Sequence, residues 1–198
     1  MIVGITCGGP DLYDRVRAAL VAGIDRVIVR ESALPPGLAA LAEAWPYRLV
    51  LHTRMPGALD LAANLPVSLH YASDVAPPFG AGPFSVSAHS PAEVRRARAA
   101  GASWALLSPI WRSPSKPTDR RRPLGVSALR VEGAVALGGV SPERVGRCRA
   151  AGAQGVAGMG GIFGAPDVAE AVGAWRAAWD QTDPDQKDRL QKDQRSSS

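Results

Sequence analysis

Short apolar runs recur along the chain and alternate with polar, alanine-rich segments. Each run is continuously apolar rather than alternating, which is typical of a strand buried on both faces of a parallel sheet. Eight strands separated by helices predict a single-domain α/β fold, a closed (β/α)8 TIM barrel; a doubly wound open sheet is the competing architecture. The predicted strands are 2–6, 27–30, 48–51, 67–70, 84–87, 104–107, 134–137 and 155–159.

Helix ends support this alternation. Three alanine-rich segments stop at Gly23, Gly101 and Gly152, two or three residues before an apolar run. Glycine favours the left-handed conformation past a helix C terminus because it has no Cβ. Ser90 and Ser141 each precede a proline, so both are predicted to cap a helix N terminus with the hydroxyl group. The predicted helices are 11–22, 91–100 and 142–151.

Length and composition indicate one buried core. The chain has 198 residues and is 46% hydrophobic, and we predict a barrel over 1–180 followed by a disordered polar tail over 181–198. The two cysteines, Cys7 and Cys148, lie far apart and indicate neither a disulfide framework nor a zinc site. We find no secretory signal and no apolar run of membrane-spanning length. A cytoplasmic protein is therefore expected.

The formal net charge of +5 raises the question of nucleic acid. Many arginines lie on predicted helix surfaces, where a solvated face explains them. The one compact run, 120–122, has no interleaved aromatic residues. Nucleic-acid binding is therefore only a minor alternative. The sequence leaves open whether the chain is a monomer or a homo-oligomer.

Glycine pairs follow the last two predicted strands. In a barrel, the residues just after each strand share one face, where the site is built. Gly138 and Gly139 follow the seventh strand, and Gly160 and Gly161 follow the eighth. A glycine pair is often only a tight turn, but glycine also lets backbone N–H groups approach a phosphate closely. At these two strands the pairs predict a phosphate site.

The loop after the sixth strand is longer than the others. It contains Ser113, Ser115 and Lys116, and a lysine ammonium beside hydroxyl groups suits a polyanionic ligand. A solvated basic loop is the alternative.

Several motifs together resemble the thiamine-phosphate synthase and TenI family. They are VIVRES, FSVSAHS, SPIWRSPSKP with PLG, VALGGVSPERV and AGAQGVAGMGGIFGAPD, and the resemblance extends to about Trp179. It implies a barrel of thiamine biosynthesis that binds a phosphorylated thiazole or thiamine phosphate at the ends of strands seven and eight. By motif, the phosphate positions are Gly139, Gly160 and Gly161, and the other half of the pocket comprises Ser87, Ser113, Ser115 and Lys116.

Two strand ends depart from the family pattern. Where the synthase has Asn-Asp-Arg after strand three and Arg-Glu-Lys after strand two, this chain has residues 52–54, His-Thr-Arg, and 30–32, Arg-Glu-Ser. The resemblance thus implies that an aspartate that binds the metal and a lysine that binds the substrate diphosphate are missing. Threonine is a poor Mg²⁺ ligand in place of the aspartate. We expect no cofactor, unless the protein is a synthase, in which case Asp74 would help to hold Mg²⁺.

These departures favour a TenI-like, metal-independent tautomerase that moves protons on a thiazole phosphate. The strand-six histidine of some relatives is replaced by Pro109, so His52 is the candidate acid or base. A divergent Mg²⁺-dependent synthase and a catalytically inactive phosphate-ligand binder are the alternatives. Further candidates for substrate contact are Arg30, Arg54, Ser108 and Trp111, whereas His70 and His89 are expected to be structural.

Overall fold

Eight parallel strands close into a barrel. The structure, a computed structural model, describes residues 1–78, 82–112 and 121–181. Each strand pairs with the next along the chain, and the eighth pairs with the first, which confirms the predicted (β/α)8 barrel and excludes the open sheet. The strands are β1 (Ile2–Ile5), β2 (Arg26–Val29), β3 (Leu49–His52), β4 (Ser68–Tyr71), β5 (Phe84–Ala88), β6 (Trp104–Leu107), β7 (Ala134–Ala136) and β8 (Gly155–Gly158).

Helices on the outside of the barrel connect most of the strands. A 3-10 turn, Val126–Leu129, precedes β7. All helices in the described part of the chain are too short or too polar to cross a membrane. The predicted tail, 181–198, lies outside the described residues apart from Gln181, so its disorder stays a prediction. The helices are α1 (Leu12–Val21), α2 (Leu38–Ala44), α3 (Ala58–Asn64), α4 (Pro91–Ala99), α5 (Pro142–Ala150) and α6 (Val168–Asp180).

The predicted helix ends are confirmed with one exception. Gly23, Gly101 and Gly152 have φ angles of +91°, +96° and +96°, as left-handed caps require. The Ser90 hydroxyl accepts a hydrogen bond from a backbone N–H in the first turn of α4, at 3.2 Å. Ser141 is the N-cap residue of α5, as predicted, but the predicted hydrogen bond from its hydroxyl is wrong: the hydroxyl accepts no backbone N–H of the first turn and donates to the Glu143 carboxylate at 2.5 Å.

The barrel interior is apolar on one side and polar on the other. Strands β4 and β5 place His70 and Ser85 inside, each only 1% exposed, and the His70 ring stacks on Trp104 with the centroids 6.0 Å apart. A second, larger apolar layer fills the space between the strands and the helices. The interior apolar side chains are Val3, Ile5, Ile28, Val50, Trp104, Leu106, Val135 and Ala157.

At the N-terminal end of the barrel, Asp25 connects β1 to α6. One carboxylate oxygen accepts hydrogen bonds from the Ile2 N–H and the Arg176 guanidinium, both at 2.6 Å. This face lies opposite the strand ends that form binding sites in such barrels, so the contact stabilises the fold.

Candidate phosphate-binding site

A cavity of about 490 Å³ opens at the C-terminal ends of the strands. All four glycines predicted from the two strand ends line it, together with the predicted residues Arg30 and Ser108. Its apolar wall includes Ile5, Leu137 and Met159. The remaining polar or charged lining residues are Arg121, Ser141 and Arg144.

The first glycine pair is required by the packing of the loop after β6. Gly138 and Gly139 have φ angles of +91° and +65°, which disfavour other residues. A Cβ added to Gly139 would lie 2.5 Å from the Arg112 carbonyl oxygen. The Gly138 carbonyl also accepts a hydrogen bond from the Trp111 N–H at 2.9 Å. The fold therefore requires glycine at both positions, independently of any ligand.

The second pair is less constrained by the fold. Neither Gly160 nor Gly161 has a left-handed φ angle. A Cβ on Gly161 would contact Trp175 at 3.3 Å, whereas a Cβ on Gly160 would meet no atom within 4 Å. Because the fold does not need glycine at position 160, its missing side chain leaves the backbone open to a ligand in the cavity.

Backbone N–H groups at both strand ends are available for an anion. Within the described residues, the N–H groups of Gly139, Gly160 and Gly161 donate no hydrogen bond. Two of the carbonyls are already engaged: that of Gly139 by the Arg144 guanidinium at 2.6 Å, and that of Gly161 by the Trp175 indole N–H at 3.2 Å. Unpaired donors beside engaged acceptors favour binding of an anion over a cation.

The charged lining residues are all cationic. Arg30, Arg121 and Arg144 contribute positive charge, and no carboxylate lines the cavity among the described residues. The Arg121 Nη1 lies 3.0 Å from His89 Nδ1 and 3.2 Å from His89 Nε2, and His89 Nδ1 also lies 3.0 Å from the Ser108 carbonyl oxygen. The carbonyl can only accept, so Nδ1 carries the proton and Nε2 accepts from Arg121. This wall suits a phosphate monoester.

His52, the candidate acid or base, faces the polar side of the barrel and does not line the cavity. It is 8% exposed, and its ring centroid lies 5.5 Å from that of His70. Nδ1 accepts a hydrogen bond from the Arg54 N–H at 3.2 Å, so the ring proton lies on Nε2. Burial, Arg30 and Arg54 lower the pKa of His52, so the imidazole is neutral at neutral pH.

Ser87 also lies outside the cavity lining and is hydrogen-bonded to His70. The Ser87 Oγ lies 2.9 Å from His70 Nε2, and the Ser85 Oγ lies 2.8 Å from His70 Nδ1. Because the Ser85 hydroxyl donates to the Leu69 carbonyl, Nδ1–H donates to Ser85 and the Ser87 hydroxyl donates to Nε2. The contact with substrate expected for Ser87 stays a prediction.

Asp74 and Glu31, which would hold Mg²⁺ in a divergent synthase, have other partners. One nitrogen of Arg54 lies 2.7 and 2.5 Å from the two carboxylate oxygens of Asp74. The Glu31 carboxylate accepts a hydrogen bond from the Gly8 N–H at 3.1 Å. No group of three His, Cys, Asp or Glu side chains that could hold a metal ion occurs within 1–78, 82–112 and 121–181. The expectation of no cofactor therefore stays a prediction.

Three predicted residues cannot be placed. Ser113, Ser115 and Lys116 lie in 113–120, outside the described residues, and their roles stay predictions. Conversely, the sequence analysis missed Arg144 and left Arg121 within a basic run. Arg144 is five residues after Gly139, in the first turn of α5, and this position next to a predicted phosphate loop was the available signal.

A closed parallel barrel with a cavity at the ends of β7 and β8 defines the class as a single-domain (β/α)8 TIM barrel. Residues 80–162 match the profile of the family described as thiamine monophosphate synthase. The thiamine-phosphate synthase of Moorella thermoacetica is 30% identical over 186 residues, which are 83% of this chain and 87% of the relative. The chain therefore belongs to the thiamine-phosphate synthase family, a family of thiamine biosynthesis.

Two further similarities differ in extent. The thiamine biosynthesis bifunctional protein ThiM/ThiE of Symbiobacterium thermophilum is 33% identical over 182 residues, which are 81% of this chain but only 37% of that protein. The structure of thiamine phosphate pyrophosphorylase from Pyrococcus furiosus has a TM-score of 0.72 at 19% identity, covering 90% of this chain and 94% of the other. This structural likeness supports the fold alone.

Proposed function

We propose that the chain binds a thiazole phosphate in the cavity and catalyses a metal-independent proton transfer on it, as a TenI-like enzyme. The observation that carries the proposal is the open backbone at Gly160, where the fold leaves room and an unpaired N–H beside a cationic wall. The N–H groups of Gly139 and Gly161 supply further donors for the same phosphate. The family membership supports a thiazole as the phosphorylated group.

The rest of the cavity suits a small heterocycle. Ile5, Leu137 and Met159 provide an apolar surface for a ring and its methyl group. A volume of about 490 Å³ falls in the usual range for small-molecule pockets.

His52 is the residue that we assign to the chemistry. Tautomerisation moves a proton between two positions of the thiazole; solvent water accepts it from the first and returns one to the second, so the reaction needs no metal or oxidant. A neutral imidazole with its proton on Nε2 can donate a hydrogen bond to charge that develops on the substrate, and a lowered pKa keeps the imidazole in that form. Arg30 contributes to both the cavity and the surroundings of His52: it lines the cavity, and its positive charge lowers the pKa of His52.

The binding test uses titration calorimetry with hydroxyethylthiazole phosphate. We expect saturable binding by the wild-type protein and its loss in Gly160→Asp, which adds bulk and a negative charge to the cavity. Gly173→Asp is the matched control, because Gly173 is an exposed position of α6 where an added Cβ meets nothing within 4 Å. Absence of binding by the wild type, or equal binding by Gly160→Asp, would refute the proposal.

Activity assays separate the alternatives. The named relatives favour a Mg²⁺-dependent synthase as the second candidate, and formation of thiamine phosphate only with Mg²⁺ would support it. Binding without any turnover would instead indicate an inactive phosphate-ligand binder. Tautomerase turnover that is unchanged in His52→Gln would contradict the assignment of His52.

A further inference from the structure

Arg144 is held rigidly in the wall of the cavity. It lies in the first turn of α5 and is half-buried. Its Nη1 donates to the Gly139 carbonyl at 2.6 Å, and its guanidinium lies over the Trp111 ring, 5.2 Å from the centroid. A guanidinium has five N–H donors, so most of the hydrogen-bonding capacity of Arg144 remains after the bond to Gly139.

The positive charge of Arg144 has no acidic partner in the described part of the chain. The partly buried Arg176, by contrast, is paired with Asp25 at 2.6 Å. None of the described carboxylates lies within 4 Å of the Arg144 guanidinium, and the neighbouring Glu143 instead accepts a hydrogen bond from Ser141. A fixed cation without a carboxylate, beside unpaired N–H groups, is the arrangement expected for a bound anion.

We propose that Arg144 binds the phosphate directly and makes the cavity selective for the dianion of a phosphate monoester. This inference rests on the proposed phosphate site and adds a residue that determines its specificity. The backbone N–H groups of the glycines can bind an anion of any charge. The guanidinium adds a full positive charge with fixed geometry, so its attraction doubles when the phosphate loses its second proton. Trp111 and Gly139 position the guanidinium before the ligand arrives.

Arg147 provides a matched control on the same helix. Its guanidinium also lies over Trp111, 5.7 Å from the ring centroid, but it is exposed and does not line the cavity. Arg144→Gln and Arg147→Gln therefore remove the same charge and the same kind of stacking contact. Only the first removes a group that can touch the ligand.

The test measures binding of inorganic phosphate by calorimetry. We expect Arg144→Gln to weaken binding by about 10-fold or more, the usual effect of losing a charged hydrogen bond, and Arg147→Gln to change it by less than about 2-fold. Arg144→Lys should restore part of the affinity because it keeps the charge but not the fork of donors. Circular dichroism and thermal unfolding of each variant show whether it is folded. Equal losses in the two glutamine variants would overturn the inference.

The pH dependence gives a readout that a purely structural residue would not change. Wild-type affinity should fall as the pH drops and the dianion becomes protonated, and the fall should be smaller in Arg144→Gln. A parallel fall in both proteins, or a wild type that binds no phosphate, overturns the inference.

The two proposals can fail separately. If the wild type binds inorganic phosphate through Arg144 but does not bind hydroxyethylthiazole phosphate, the inference holds and the proposed function fails. If Gly160→Asp loses the thiazole phosphate while Arg144→Gln binds it as the wild type does, the proposed function holds and the role of Arg144 is refuted.

Discussion

Acidification is expected to destabilise the barrel through His70. This ring is 1% exposed, and its neutral form satisfies both nitrogens, with Nδ1–H donating to Ser85 and Nε2 accepting from Ser87. Burial, followed by the neighbouring His52 and Arg30, lowers the pKa of His70 to about 3. The native state therefore binds a proton at His70 only at a much lower pH than the unfolded chain does.

The sign and size of the effect follow from proton linkage. An unfolded histidine has a pKa of about 6.5, so the stabilisation is fully present above that pH and is lost as the pH falls towards the folded value. Between about pH 7 and about pH 5 the unfolded state gains about 0.7 of a proton at His70 and the native state gains almost none. The free energy of unfolding should then fall by about 2 kcal/mol from this residue alone.

Urea unfolding at the two pH values checks this prediction. In His70→Gln the side-chain amide can still bond to both serines but cannot titrate, so its loss of stability between the two pH values should be smaller than the wild-type loss by about 2 kcal/mol. Comparing the pH-dependent losses removes any fixed cost of the substitution. Equal losses in the two proteins, or an NMR titration of the native His70 ring near pH 6.5, would refute the reasoning.

Three other predictions concern stability. Gly139→Ala should lower the free energy of unfolding by about 2 to 4 kcal/mol, measured by urea unfolding. The alanine would have to adopt a φ of +65°, and its Cβ would lie 2.5 Å from the Arg112 carbonyl oxygen. A loss under about 1 kcal/mol would contradict the structural role of this glycine. Asp25→Asn should cost about 1 to 3 kcal/mol through the weakened bond to Arg176, and a melting temperature equal to that of the wild type would be the contrary result. Arg54→Ala should cost less than about 1 kcal/mol, because the side chains of Arg54 and Asp74 are 60% and 66% exposed, and a larger loss in the same assay would mean that the pair is not screened by solvent.

The fold was predictable because burial controls it. A barrel strand is covered on both faces, so it appears in the sequence as a short continuous apolar run, and every predicted strand lies within one residue of the observed one. The run 104–107 matches β6 at both ends. The glycine caps were predictable for a similar reason, because their φ angles depend on local backbone sterics alone.

Contacts of individual side chains were less predictable. Ser141 was expected to cap α5, but Glu143 lies close enough to compete for its hydroxyl, and a pattern of residue types does not decide between the two. From the sequence, Asp74 was a candidate metal ligand. In the folded barrel its carboxylate contacts Arg54, which is 20 residues away in the chain. Both outcomes depend on side-chain geometry rather than on the identity of the residue.

The two glycine pairs show where sequence reasoning reaches its limit. They look alike in the sequence, but Gly139 is fixed by a left-handed backbone and a close carbonyl, whereas Gly160 has neither constraint. Gly160 lines the same cavity as Arg144, and among the described residues its N–H group is unpaired and the Arg144 guanidinium has no acidic partner; a bound anion explains this combination most simply. The phosphate half of the site therefore rests on Gly160 and Arg144 more than on the first pair. Asp74, the candidate Mg²⁺ ligand, is paired with Arg54 in an exposed contact, so the proposed binding of a single phosphate is the part of the site that the cavity geometry supports best.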